Sequence, residues 1–316
     1  MKTKNKLLTL LILSASAATA TAVMNKCIKL TATSKNLLSD TKAHCFKWRF
    51  GNIHYTKTGS GKPLLLIHDL SAYASGNEWN QMVGSLKDHY TVYTIDLLGC
   101  GRSEKPDLTY TNYLYVQMIS DFIKSEIGHR TNVIASGASS SLAVMACNNA
   151  TELFDQIMLI NPDTLLTCSQ IPNKHGKVYK FILDLPIIGT LLYHIASSKQ
   201  AIKEAFATQL FSNPYTVKTS YIDACYESAH LGDSPKSLYA SVKCNYTKCN
   251  IVNGLKKINN SIYIVGGQDM EDSNYLISEY QRCNPAIESS IISHSKYFPQ
   301  LENPTELLHT IQMFFL

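Results

Sequence analysis

The sequence predicts an α/β protein with a mostly parallel sheet, interrupted by one long helical insertion. Three observations carry this expectation. Continuous apolar runs recur along the chain, at Leu64 to Ile67, Val92 to Ile95, Val133 to Ala135, Ile157 to Ile160 and Ile262 to Val265. Runs of that kind suit strands covered on both faces, as parallel strands are. Helical spacings lie between them, at Tyr113 to Ile127, Ser140 to Asn148 and Tyr275 to Arg282, and strands that alternate with helices build a doubly wound sheet. From about Thr164 to Lys257 the alternation stops. Amphipathic helical patterns follow one another there, at Phe181 to Ile187, Gly189 to Ile195, Ala201 to Phe211 and Val217 to Ala229. Such a stretch is too long for a loop.

Composition narrows the class. With 316 residues and 45% hydrophobic content, the chain can bury a full core. The net charge of +5 is mild, and Lys2, Lys4 and Lys6 supply three of those charges. No basic stripe interleaved with aromatics appears, so nucleic acid is not expected as a partner.

The three lysines precede an uncharged stretch from Leu7 to Met24, with Ala20-Thr21-Ala22 placed as a cleavage site would be. Positive, apolar and small-residue segments in that order make a signal peptide, whereas a spanning anchor needs ~20 apolar residues. Residues 1–24 therefore read as a signal peptide or signal anchor. The expected location is secreted or membrane-anchored on the extracytoplasmic side, with the membrane a partner if the segment is uncleaved. Residues 25–42 read as a linker, and 43–316 as the folded domain. The nine cysteines have no metal-ligand spacing and an odd count, so most are expected to be small buried hydrophobes. Asn149, Asn245 and Asn259 are sequons that matter only in a glycosylating cell.

The early strands are expected as a hairpin, Phe46 to Phe50 and Ile53 to Thr56, turning at Gly51-Asn52. After the run ending at Ile67 comes His68-Asp69-Leu70. The next run leads into Asp96-Leu97-Leu98-Gly99-Cys100-Gly101-Arg102-Ser103. Val133 to Leu142 reads as a strand entering a helix through Gly137-Ala138-Ser139-Ser140-Ser141, a G-x-S-x-S version of the strained elbow that exposes a nucleophilic serine. Gly266-Gly267-Gln268-Asp269 follows a late strand, and Pro299-Gln300-Leu301-Glu302-Asn303-Pro304 opens the last helix.

In this order, from about residue 46 to the C-terminus, these segments resemble the α/β-hydrolase family, in its lipase and esterase-like branch. The D-x-x-G-x-G-x-S stretch is the most specific of them. The resemblance implies an α/β-hydrolase fold, with a mostly parallel eight-stranded sheet and the helical insertion at about 164–257 as a lid. It places Ser139 as nucleophile, Asp269 as the acid and the backbone N–H groups of Leu70 and Ser140 as the oxyanion hole. Asp163 is a reserve acid. Trp79 falls in the first covering helix, where a core role is expected.

Two positions depart from the family pattern. His-Gly is replaced by His68-Asp69, and aspartate tolerates left-handed backbone better than most residues. The catalytic histidine of H-x-P-x-x-E is replaced by Tyr297, whose phenol, with an ordinary pKa of about 10, is a poor base at neutral pH. His294, three residues earlier, would then serve as base, or it ends its strand facing solvent. A base from the insertion (His175, His194 or His230) is a further alternative. The leading expectation is a serine hydrolase acting on a small ester or acyl substrate through an acyl-Ser139 intermediate, with no cofactor or metal implied. The rival is a catalytically silent hydrolase-fold protein that binds an apolar ligand or a protein partner. Pro186-Ile187-Ile188-Gly189 and Leu191-Leu192 raise a third possibility, a surface for membrane or protein; packing against the sheet is the preferred expectation for them.

Overall fold

The structure is a computed structural model that describes residues 2–39 and 43–315. Asp40, Thr41 and Lys42 of the expected linker lie outside the described residues, as do the side chains of residues 1–14. Among the described residues eight strands form one sheet: β1 (Ala43–Trp48), β2 (Gly51–Thr58), β3 (Lys62–Ile67), β4 (Tyr90–Ile95), β5 (Thr131–Ser136), β6 (Phe154–Ile160), β7 (Ile262–Gly267) and β8 (Glu288–Ile292). Their spatial order is β1-β2-β4-β3-β5-β6-β7-β8. The β1–β2 and β2–β4 pairings are antiparallel and the remainder parallel. The hairpin turns at Arg49-Phe50, between the paired Trp48 and Gly51, two residues earlier than the sequence suggested.

The apolar runs are continuous because both faces of the central strands are covered. Successive side chains point to opposite sides, so Leu64 and Leu66 join one core layer with Ile134, Met158 and Val265. Leu65 and Ile67 join the other with Val133, Leu159 and Ile264. Trp79 is fully buried in the first layer, as expected of a core residue.

The D-x-x-G-x-G-x-S stretch is a structural turn. Asp96 accepts hydrogen bonds from the N–H groups of Gly76 (2.6 Å) and Arg102 (2.8 Å), and Ser103 Oγ donates to Asp96 O (2.5 Å). Burial pushes the Asp96 carboxyl upward. The His54 hydrogen bond and the nearby charges of His68, His54 and Arg102 outweigh it and hold the group well below the carboxylate range.

Between β6 and β7 the insertion folds as a cap of short helices, including Lys174–Asp184, Ile188–Ala196, Lys199–Ala205, Thr219–His230 and Pro235–Lys243. The first begins seven residues earlier than its apolar spacing suggested. Residues 25–33, expected as linker, are helical: Lys2–Thr33 is one helix whose C-terminal part lies on the cap. Asn25 Nδ2 donates to Ile187 O (3.3 Å), Lys29 Nζ donates to Gly232 O, and the backbone N–H groups of Leu37 and Leu38 donate to the Glu227 carboxylate (2.8 and 3.1 Å). Leu191 is half-buried, but Ile188 and Leu192 face outward, against the expectation that the whole segment packs onto the sheet. All nine cysteines are free; Cys100, Cys147, Cys168, Cys244 and Cys249 are buried.

Candidate active site

The strand-to-helix turn after β5 decides the register of the site. β5 ends at Ser136, paired with Ile160 of β6, and the following helix is Ser139–Asn149. Gly137 makes the turn, with φ +54° and its N–H donating to Ile160 O (2.9 Å). A nucleophile elbow puts its reactive residue at this strained point and aims the next backbone N–H at the oxyanion. Gly137 holds that place, and the next N–H is that of Ala138.

Ser139, expected at the turn, is instead the first residue of the helix and has no solvent exposure. Its Oγ donates to His68 O at the end of β3 (2.7 Å), pinning the helix to the sheet. Ser140 N–H, expected in the oxyanion hole, donates to Gly137 O (3.1 Å) within the turn. Of the two expected backbone donors, Leu70 N–H does face the site. Its partner there is Ala138, not Ser140.

Ala138 N–H donates to Asp69 Oδ1 (2.9 Å), and the Leu70 N–H lies beside the same carboxylate and helps hold its charge. Tyr297 Oη donates to Asp69 Oδ1 as well (3.2 Å). The Asp69 carboxylate thus sits where an oxyanion would be bound. Asp69 does not adopt the left-handed backbone suggested for it; its side chain is what matters. A Cβ added at Gly137 would overlap both the Tyr297 hydroxyl and the Asp69 carboxylate, far inside contact distance. The glycine, the aspartate and the tyrosine fit one another.

A second buried acid supports this cluster. Glu78 accepts from Asp69 N–H (3.1 Å) and Gln300 Nε2 (2.6 Å). Burial, then the Asp69 charge, pushes Glu78 up to about 8, against the bonds from Asp69 N–H, Ser136 and Gln300. Burial likewise pushes Asp69 up to about 6. Burial and the Asp69 charge hold the Tyr297 phenol well above its ordinary value, which removes it as a base. His68 is no substitute. Its Nδ1 bonds Asp69 O (2.6 Å), its Nε2 accepts from Leu97 N–H (3.0 Å), and burial keeps it neutral.

The remaining expected site residues do not converge on Ser139. His294 is exposed, with φ +49° and its N–H donating to Gln268 Oε1 (3.2 Å). It lies in the turn two residues past the end of β8 and faces solvent. Asp269 is exposed at the end of β7 and accepts from Ser212 Oγ of the cap. Asp163 is ion-paired with Lys248 (2.7 Å). His175 is exposed, while His194 and His230 stack on each other near the N-terminal helix (ring centroids 4.9 Å apart). Sequence reasoning missed Gly137, Ala138, Glu78 and the side-chain role of Asp69. Asp69 in the His-Gly slot was the available signal. Beside the cluster, a narrow and mostly apolar crevice runs between sheet and cap, lined among others by Tyr73, Glu78, Phe206, Tyr221, Phe298 and Leu301.

A parallel sheet with a strand–turn–helix elbow, a helical cap before β7 and backbone donors at the turn defines the α/β-hydrolase class of protein. The chain belongs to the alpha/beta hydrolase family, whose sequence profile matches residues 64–309. Over 72 residues it is 39% identical to the 2-hydroxy-6-oxo-6-(2'-aminophenyl)hexa-2,4-dienoic acid hydrolase of Metapseudomonas resinovorans, a match covering 22% of this chain and 25% of that one. The alignment spans only about a quarter of that relative's length. Among solved structures, a carboxylesterase from Bacillus subtilis superposes with a TM-score of 0.69 at 14% identity, over 94% of this chain and 98% of its own. A bacterial membrane phospholipase A superposes with a TM-score of 0.69 at 18% identity, over 99% and 98%. At these identities the structural likeness concerns the fold. The relative named above is a hydrolase, and hydrolases of this family act on small molecules.

Proposed function

We propose that this hydrolase-family protein binds a small apolar or acyl compound in the crevice between sheet and cap, without forming an acyl-Ser139 intermediate. One observation carries the reading: Gly137 stands at the elbow, beneath the Tyr297 hydroxyl and the Asp69 carboxylate. A covalent mechanism needs a nucleophile and a base within hydrogen-bond reach of each other. Ser139 Oγ is committed to a backbone carbonyl, and His294 is turned to solvent. The Asp69 carboxylate takes the Ala138 N–H and stands beside that of Leu70, where the oxyanion that supports residual turnover would be held. What remains of the site is shape: aromatic and aliphatic side chains with the neutral Glu78 as a polar fixing point.

The proposal places the chain outside the cytoplasm. Its N-terminal helix acts as a membrane tether, or, if cut after Ala22, leaves residues 23–33 docked on the cap. Calorimetric titration of the full chain with a short-chain fatty acid, beside assay of a p-nitrophenyl ester of similar length, tests the functional reading. Saturable binding without nitrophenol release is expected. Ester turnover that disappears in Ser139→Ala would restore the serine-hydrolase reading.

A further inference from the structure

Two adjacent cap helices are amphipathic with their apolar faces outward. In Lys174–Asp184, Val178, Phe181 and Ile182 fall at i, i+3 and i+4. In Ile188–Ala196, Ile188, Leu192 and Ile195 fall at i, i+4 and i+7. Such spacing lines one helix face, and here that face is uncovered: Phe181 is 67% exposed, Ile195 62% and Val178 61%. Clustered exposed apolar side chains on neighbouring elements mark an interaction surface, whereas isolated ones need no explanation.

The choice of occupant follows from what adjoins this surface. The N-terminal helix packs against the second cap helix, with Asn25 bonded to Ile187 O, and its own Val23 and Met24 are exposed there. The helix that carries the apolar sequence Leu7 to Met24 thus packs against one of the two cap helices. Lys174 and Lys177 are exposed beside the apolar face and Lys26 is exposed on the N-terminal helix, while the exposed Asp184 on the first cap helix is paired with Lys180 (2.7 Å). An apolar face rimmed by lysines suits anionic lipid headgroups over an acyl layer. The two helices have 11 and 9 residues and meet at a bend of 105°. At 1.5 Å per residue they reach only ~16 and ~14 Å, against a hydrocarbon layer of ~30 Å. They can lie on a bilayer but cannot span it.

We propose that these two helices rest on an anionic membrane surface beside the N-terminal helix, holding this face of the cap against lipid. The inference is independent of whether Ser139 reacts. It adds to the tether a second contact, through the folded body.

Hydrogen–deuterium exchange of the full chain tests it, with and without phosphatidylcholine vesicles containing roughly a third phosphatidylglycerol. The expected result is roughly tenfold slower amide exchange over residues 174–196 when vesicles are present. That protection should vanish in the variant carrying Phe181→Ser, Ile188→Ser and Ile195→Ser, while residues 7–24 remain protected. These side chains are exposed, so the variant keeps its core. Protection confined to residues 7–24 in the parent would overturn the proposal and leave the tether standing. Slow exchange over 174–196 without vesicles, growing with protein concentration, would overturn it in favour of a second copy of the chain. No association with vesicles would overturn both surface and tether.

Discussion

At the residue scale the site turns on Gly137. With φ at +54°, a residue bearing a Cβ is strained there before any contact is counted. The overlap with Tyr297 and Asp69 adds to that strain. Gly137→Ala is therefore expected to cost about 2 kcal/mol or more in urea unfolding. Part of the loss should be recovered when Tyr297→Phe removes the hydroxyl. The buried acids make a second expectation. Asp69 and Glu78 are raised to about 6 and about 8, so the native state keeps protons that the unfolded chain has released. Stability then falls as pH rises, because the unfolded state binds fewer protons throughout that window. The decline should run from about pH 4, near the ordinary carboxyl values, to about pH 8. Glu78→Gln is expected to flatten its upper part, from about 6 to 8, and leave the part below that to Asp69. Denaturation midpoints across this pH range would show it.

At the scale of elements, β5 and its helix explain why the fold was legible and the site only partly so. The apolar runs, the D-x-x-G-x-G-x-S turn and the helical insertion are visible in the sequence because each has a period or composition of its own. The elbow is not. Ala135-Ser136-Gly137-Ala138-Ser139 and Gly137-Ala138-Ser139-Ser140-Ser141 are two overlapping frames of small residues, two positions apart. Only the second has serine at its centre, which is why it drew the nucleophile assignment. What selects the first is the end of β5, set by the pairing of Ser136 with Ile160. Strand ends depend on neighbouring strands, which a chain read by itself does not display. Tyr297 draws notice in the sequence because Pro299 and Glu302 set its frame, while its hydrogen bond to Asp69 spans 228 positions and is not visible there. In this frame Ser139 is a fastening between helix and sheet. Ser139→Ala is expected to cost about 1 kcal/mol, the value of one buried hydrogen bond, and to leave ligand binding unchanged. Calorimetric unfolding beside the fatty-acid titration measures both.

On the scale of the whole molecule, the chain has the sheet and flanking helices of the hydrolase family, and the proposal is that its reactive centre is closed. The sheet, the backbone N–H groups of Leu70 and Ala138 and the cap are in place, while Asp269 stands exposed after β7, bonded to Ser212 of the cap. Gly137, Asp69 and Tyr297 close the point where they would act. The N-terminal helix and the outward apolar faces of the cap give the body a side of its own, distinct from the buried cluster. The central claim is that this cluster, and not Ser139, occupies the reaction centre. Labelling of the full chain with a fluorophosphonate probe tests it most directly. The comparison includes Ser139→Ala, His294→Ala and a variant with Gly137→Ser, Asp69→Gly and Tyr297→His together. The expected result is no labelling of the parent or of either single variant, with labelling of the triple variant at residue 137. Labelling of the parent that is lost in Ser139→Ala would contradict the account, and its loss in His294→Ala as well would identify the base.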